Sequence, residues 1–261
     1  MAPEEPLPES DLCGRTLGEF VLHARIDEGS SDGIDDVYRG EQRLLKRDVV
    51  VRVLRQRPPA VALQRFMAAA QFEHPYAAHI YDFGLDGETG RWWFATEMVH
   101  GITLNHWLAK HGPMPLDQFV PFFECVAQVV QAAHDRGILH RNLRPSSVMV
   151  LDGAGRLCPM LLGFGLDQLT RGDTETGSPA ADIQALGVIA YESLTGRVPV
   201  IADAQVPPLG GDFSPDLDRI LRRALVQSPE GGHPGSLELA TELCTALRTS
   251  PHEQLRSAAQ Q

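Results

Sequence analysis

The chain has 261 residues, 43% of them hydrophobic and 22% charged, with a formal net charge of -11. That length can bury a substantial core as one large domain or two coupled lobes, disorder is not expected for most of it, and the ordinary composition leaves the class to be read from pattern rather than totals. The acidic balance disfavours nucleic acid and anionic membrane as main partners, since both recruit clustered Lys and Arg.

The opening MAPEEPLPES lacks the basic start and apolar run of a secretory signal, and residues 1–15 read as a flexible acidic tail. Strand patterns follow. Phe20 to Ile26 is a short apolar run, an Asp-, Ser- and Gly-rich loop extends through Asp36, and Val37-Tyr38-Arg39 resumes an extended pattern. Asp48 to Leu54 is β-branched and nearly uninterrupted, which predicts a buried strand with one embedded cation, Arg52. Ala60 to Phe72 predicts a short helix. His79 to Gly84 and Arg91 to Met98 flank an Asp-Gly-Glu-Thr-Gly turn, the layout of a β-hairpin.

From Thr103 the pattern becomes helical. Thr103 is placed to cap a helix running through Lys110. Leu116 to Arg136 carries an i, i+3, i+4, i+7 stripe of Phe119, Phe122, Phe123, Val126, Val129, Val130 and Ala133, the pattern of plain core packing. Further helices are predicted over Asp182 to Thr195, ending before Gly196, and over Leu217 to Val226 and Leu237 to Leu247. Arg219, Arg222 and Arg223 read as the solvent face of an amphipathic helix rather than a binding patch. Residues 249–261 form a second tail. Strands first and helices second give a segregated α+β organisation.

Cys13, Cys125, Cys158 and Cys244 are scattered, with no C-x-x-C pair and no His at metal-ligand spacing. Reduced thiols in a cytoplasmic protein are expected, and no metal site. No segment approaches the ~18 continuous apolar residues of a membrane span.

Five stretches, taken in order, resemble the landmarks of a bacterial eukaryotic-type Ser/Thr protein kinase domain between Leu17 and Leu247. Val49-Val50-Val51-Arg52 is similar to V-A-I-K, and Glu97-Met98-Val99 to the hinge, with Thr96 at the gatekeeper position. His140 to Val148 resembles the catalytic loop H-R-D-L-x-x-x-N, Gly163-Phe164-Gly165 stands at D-F-G, and Asp182 to Arg197 resembles the long C-lobe helix. Asp82-Phe83-Gly84 matches D-F-G by letter but precedes the hinge, and reads as a strand end with a turn-forming glycine. The resemblance implies a bilobal α+β fold, with a small antiparallel β-sheet N-lobe carrying one short helix (16–98) and a mainly helical C-lobe (99–248). It also implies a nucleotide cleft lined by Val50, Arg52, Thr96, Glu97, Val99 and Met149. His140 and Phe164 are implied to be apolar-spine positions, and Asp182 the anchor of the catalytic-loop backbone.

The departures fall on the groups that handle phosphate and metal. Asn142 stands at the catalytic base, Ser147 and Gly163 at the two metal-ligand positions, Arg144 at the catalytic-loop Lys and Arg52 at the strand Lys. An amide is no base at neutral pH, a hydroxyl is a weak ligand for a hard cation, and glycine has no side chain. Asp27, Glu28, Asp32, Asp35 and Asp36 lie in or beside the would-be phosphate loop, where carboxylates repel a polyphosphate. Val50 adds two methyl groups at a position where the family has alanine. No Glu in Leu63 to Ala70 stands ready to pair with Arg52, and His233 replaces a family arginine. The segment from Thr170 to Ser178 is short and lacks A-P-E.

These replacements imply a catalytically inactive, pseudokinase-like module with no metal and no cofactor, nucleotide binding being weak or absent. Its partner is expected to be a protein, such as an active kinase or another phosphosignalling component, rather than nucleic acid or membrane. An alternative is an ATP-binding phosphotransferase of atypical mechanism in which Arg52 and Arg144 hold phosphates. A third reading is a nucleotide-responsive switch without turnover. Thr170, Thr174, Thr176 and Ser178 are candidate phosphorylation positions, read more simply as a polar loop.

Overall fold

The computed structural model describes residues 11–26, 35–153, 155–166, 169, 178–200, 209, 213–226 and 232–249. They fall into two compact units. The first takes the described residues up to Glu73, then Ala78–Val99, Leu166 and Leu169. The second takes His74–Ala77, the described part of His100–Gly165, and the described residues from Ser178 onward.

Among the described residues, the first unit holds an antiparallel sheet of six strands and the helix α1 (Ala60–Ala69). β1 (Thr16–Leu17), β2 (Phe20–Arg25), β3 (Asp35–Gln42), β4 (Arg47–Leu54), β5 (Ile80–Leu85) and β6 (Trp92–Glu97) lie in the order β1-β2-β3-β4-β6-β5. Side chains alternate across a strand, so β4 has two faces. Val49, Val51 and Val53 are fully buried with Leu12, Phe20, Leu22 and Tyr38, while Val50 and Arg52 occupy the half-buried opposite face. The expectation of a strand buried throughout is corrected on that point. α1 inserts Phe66 between Phe83 and Phe94, with ring centroids 5.8 and 5.4 Å away. It ends at Ala69, three residues before the expected Phe72, and Phe72 is nevertheless buried.

The β5–β6 hairpin forms at the expected turn, where the Asp86 carboxylate accepts from the Thr89 amide and hydroxyl and Gly90 takes φ 68°. Gly84 has a different role from the expected turn glycine. It lies inside β5 opposite Trp93, and a Cβ there would come within 2.9 Å of the indole. Gly18 approaches the same ring, a Cβ falling 2.8 Å away, so two glycines make room for one tryptophan.

The second unit carries most of the helix: α2 (Leu104–His111), α3 (Leu116–His134), α4 (Pro179–Thr195), α5 (Pro215–Leu225) and α6 (Ser236–Thr249). All seven residues of the α3 stripe are buried. Gly196 ends α4 in the left-handed conformation at φ 67°, as its position predicts. Gly187 lets α4 approach α5, since a Cβ there would meet the Ala224 Cβ at 2.9 Å. Arg219, Arg222 and Arg223 pair with Asp216, Asp218 and Glu242, in keeping with a solvated helix face.

The second unit is mainly helical as expected, but strands that the sequence pattern did not single out, β7 (Ile102–Thr103), β8 (Val148–Gly153) and β9 (Arg156–Leu161), form a second antiparallel sheet in that order. One expectation fails here. Thr103 precedes α2, but its hydroxyl lies 3.0 Å from His106 Nδ1 and caps no backbone amide.

The four cysteines form no disulfide, and burial pushes the Cys244 thiol up to about 12. No helix among the described residues is long and apolar enough to cross a membrane. The tails at 1–10 and 250–261, together with Asp27, Glu28, Asp32, Thr170, Thr174 and Thr176, lie outside the described residues.

Candidate functional site

In the second unit the loop after α3 is held from α4 by one side chain. Asp182 is 1% exposed; its Oδ2 accepts from the His140 amide and its Oδ1 from the Arg141 amide, each at 2.8 Å. His134 Nε2 donates to the same carboxylate at 2.8 Å. Burial pushes the Asp182 carboxyl up, but the His134 bond, the nearby His140 and the two amides outweigh it and hold it below its ordinary value. Arg141 sits at φ 64°, a backbone conformation that a non-glycine residue adopts only when its surroundings enforce it. The bond to Asp182 Oδ1 supplies part of that enforcement.

His140 is 1% exposed and packs its ring 4.8 Å from that of Phe164. Its Nε2 lies 3.0 Å from the Leu162 carbonyl oxygen; a carbonyl only accepts, so Nε2 carries the proton. This ties the loop to the strand end that leads into Gly163.

Asn142 is half-buried in this loop. Arg144 precedes the 3-10 turn Pro145–Ser147, and the Ser147 hydroxyl closes that turn on itself. It donates to the Arg144 carbonyl at 2.8 Å and accepts from the Arg144 amide at 3.0 Å. One lone pair is left on an uncharged oxygen. Gly163 takes φ 89°, where L side chains are strained. Met149, buried in β8, pairs in register with Met160 and Thr103. Magnesium is held by oxygen ligands, usually including carboxylates, in near-octahedral geometry. A glycine and a self-closed serine, at the two positions where the resemblance would place metal ligands, do not fit that requirement. Among the described residues no group of three His, Cys, Asp or Glu side chains is placed to hold a metal ion.

In the first unit Val50, Thr96, Glu97 and Val99 are half-buried. Val50 pairs in register with Thr96, whose Oγ1 lies 3.5 Å from the Val50 carbonyl oxygen. Glu97 Oε2 accepts from the His79 amide at 3.2 Å. Arg52 donates through Nη1 to Asp35 Oδ2 at 2.9 Å.

Asp35 and Asp36 are therefore corrected from loop acids to strand residues, both buried at the start of β3. Asp36 forms ion pairs with Arg25, Arg55 and Arg91. Burial opposes its ionisation, yet the Arg91 and Arg55 guanidiniums hold its carboxyl below the usual range. Arg91, 2% exposed, also donates to the Val53 and Leu54 carbonyls. Sequence reasoning missed this buried arginine. Asp36 and Arg91 are 55 positions apart, and no local pattern links them. His233, also buried, has its Nε2 3.3 Å from the Ile220 carbonyl oxygen.

With this geometry in view, the comparisons define the class: the chain is a protein kinase-like domain. It is similar to the serine/threonine-protein kinase PknB of Mycobacterium leprae, 27% identical over 267 residues, 85% of this chain and 42% of the relative. It is also similar to PknA of Mycobacterium tuberculosis, 26% identical over 262 residues, 84% of this chain and 59% of the relative. The chain thus spans about half the length of these relatives. The solved kinase domain of M. tuberculosis PknI superposes with a TM-score of 0.72 at 24% identity, covering 92% of this chain and 100% of that one. This likeness shows the bilobal kinase fold. No protein-family model matches the sequence.

Proposed function

We propose that this domain is a catalytically silent kinase-like module that acts in phosphosignalling by binding a protein partner. The partner class is an active kinase or another phosphosignalling protein, and the working location is the cytoplasm. The observation that carries the reading is the state of the two metal-ligand positions: Gly163 has no side chain, and the Ser147 hydroxyl is closed on the Arg144 backbone. Asn142 in place of a carboxylate base adds to it, since general-base loss alone costs ~10²–10⁴-fold. What the chain keeps is the holding apparatus, with Asp182, His140 and Phe164 all engaged. A fold maintained without its chemistry serves as a surface.

Two measurements on the purified chain test this. Incubation with labelled ATP, Mg²⁺ or Mn²⁺ and a general protein substrate is expected to transfer no phosphate. Transfer that disappears in Arg52→Ala would overturn the reading. Thermal unfolding with millimolar ATP, with and without Mg²⁺, is expected to show no shift. A ligand at about 100 times its Kd would raise Tm by roughly 5–11 °C.

A further inference from the structure

The buried face of the sheet ends in two polar side chains. Tyr38 in β3 and Val49, Val51 and Val53 in β4 belong to the core cluster of the first unit. Side chains alternate across a strand, so Gln42 lies on the face of Tyr38, and Arg47 on the face of Val49. The two are register partners at the last pair before the turn, where the Lys46 amide donates to the Gln42 carbonyl. Directly opposed side chains of an antiparallel pair are neighbours, with Cβ atoms about 4.5–5.5 Å apart. The core therefore closes on a glutamine beside an arginine.

Gln42 is 6% exposed and its Oε1 is enclosed, as is the Nε of half-buried Arg47. Among the described residues neither atom has a hydrogen-bond partner. One is an acceptor and the other a donor, and enclosed groups of both kinds are ordinarily paired. Arg47 is held where it lies, its Cζ 3.4 Å from the centroid of the Tyr81 ring, which packs against the same core cluster. A donor and an acceptor set side by side at the end of an apolar core match a molecule that accepts from one and donates to the other, and water does both.

We propose that Gln42 and Arg47 form an internal water-binding site that seals the end of the sheet core. The water accepts from Arg47 Nε–H and donates to Gln42 Oε1. It thereby holds the guanidinium over Tyr81 and ties the β3–β4 turn to β5. The site does not depend on whether the domain binds nucleotide.

The test is proton NMR of the full chain, isotope-labelled, with the Arg47 Nε–H resonance assigned through its own side-chain carbons. In wild type this proton is expected to show a rotating-frame Overhauser cross-peak to water of sign opposite to the diagonal, which marks a water held beside it rather than proton exchange. Gln42→Glu sets a carboxylate opposite Nε, and the direct bond is expected to expel the water and abolish the cross-peak. The wild-type measurement decides the matter whether or not that variant folds. A wild-type spectrum without the cross-peak overturns the proposal, as does a cross-peak that survives Gln42→Glu. A crystal structure in which Gln42 Oε1 accepts directly from Arg47 Nε, or in which no ordered water lies within about 3.2 Å of both atoms, would overturn it equally.

Discussion

Asp182 shows how much structure a single carboxylate can organise, because its three donors come from a helix and from two successive amides of the loop it holds. Asp182→Ala is expected to destabilise by about 3–5 kcal/mol and lower Tm by roughly 6–20 °C, read by thermal unfolding at pH 7. Its lowered value sets a pH dependence. A depressed carboxyl contributes stability that is fully present above its ordinary 3.8 and lost as the pH falls toward the lowered value. His233 acts in a higher window. Burial, opposed by the Ile220 carbonyl and Glu242, holds its imidazole below 6.5, so the unfolded chain takes up the proton first. Stability is therefore expected to fall as the pH drops below 6.5, and His233→Gln to flatten Tm against pH between 7.5 and 5.5. His140, Phe164 and Asp182 were legible in the sequence because one short motif carries each of them. The Ser147 closure was not, since it depends on the turn geometry of Arg144 to Ser147 rather than on residue type. Arg52 was legible as a cation, and its partner Asp35 only as a loop charge.

Among the elements, the long periodic ones were the readable ones. The α3 stripe and the Gly196 stop stand where the spacing puts them. β8 and β9 escaped detection for physical reasons. Val148-Met149-Val150-Leu151 is a short apolar run that periodicity alone cannot assign to strand or helix. β9 contains Pro159, which argues against a strand unless the strand lies at a sheet edge, and the order β7-β8-β9 puts it there. Close approach between elements was equally hidden. Gly84→Ala pushes a methyl group into Trp93, and Gly187→Ala pushes one into Ala224. Each is expected to destabilise by about 1–3 kcal/mol in urea unfolding at unchanged m-value.

For the molecule as a whole, the proposed silence rests on several departures from the kinase motifs taken together, Asn142, Ser147 and Gly163. Restoring one charge leaves the others missing, and residues that work as a unit do not contribute additively. Asn142→Asp alone is expected to transfer no detectable phosphate from ATP in a radiolabel assay, because Gly163 and Ser147 are unchanged. The division into a sheet unit and a helical unit was legible from composition order and the kinase landmarks, whereas the exchange of His74–Ala77 into the second unit was not. That segment is tied by the Leu161 amide to the Tyr76 carbonyl and by a bridge between Ala77 and Leu161, contacts made across more than 80 positions of chain.

The slot that Gly18 and Gly84 make for Trp93 has a spectroscopic consequence. Of the three tryptophans in the chain, Trp92 and Trp93 belong to the sheet unit and Trp107 to the helical one. Trp93 is 5% exposed against glycine and the edge of Phe20, so its emission shifts to the red only when that unit opens. A Trp107→Phe chain therefore turns intrinsic fluorescence into a reporter of the sheet unit alone, while circular dichroism at 222 nm follows mainly the helices. Run side by side, the two signals separate a ligand that steadies one unit from a partner that steadies both.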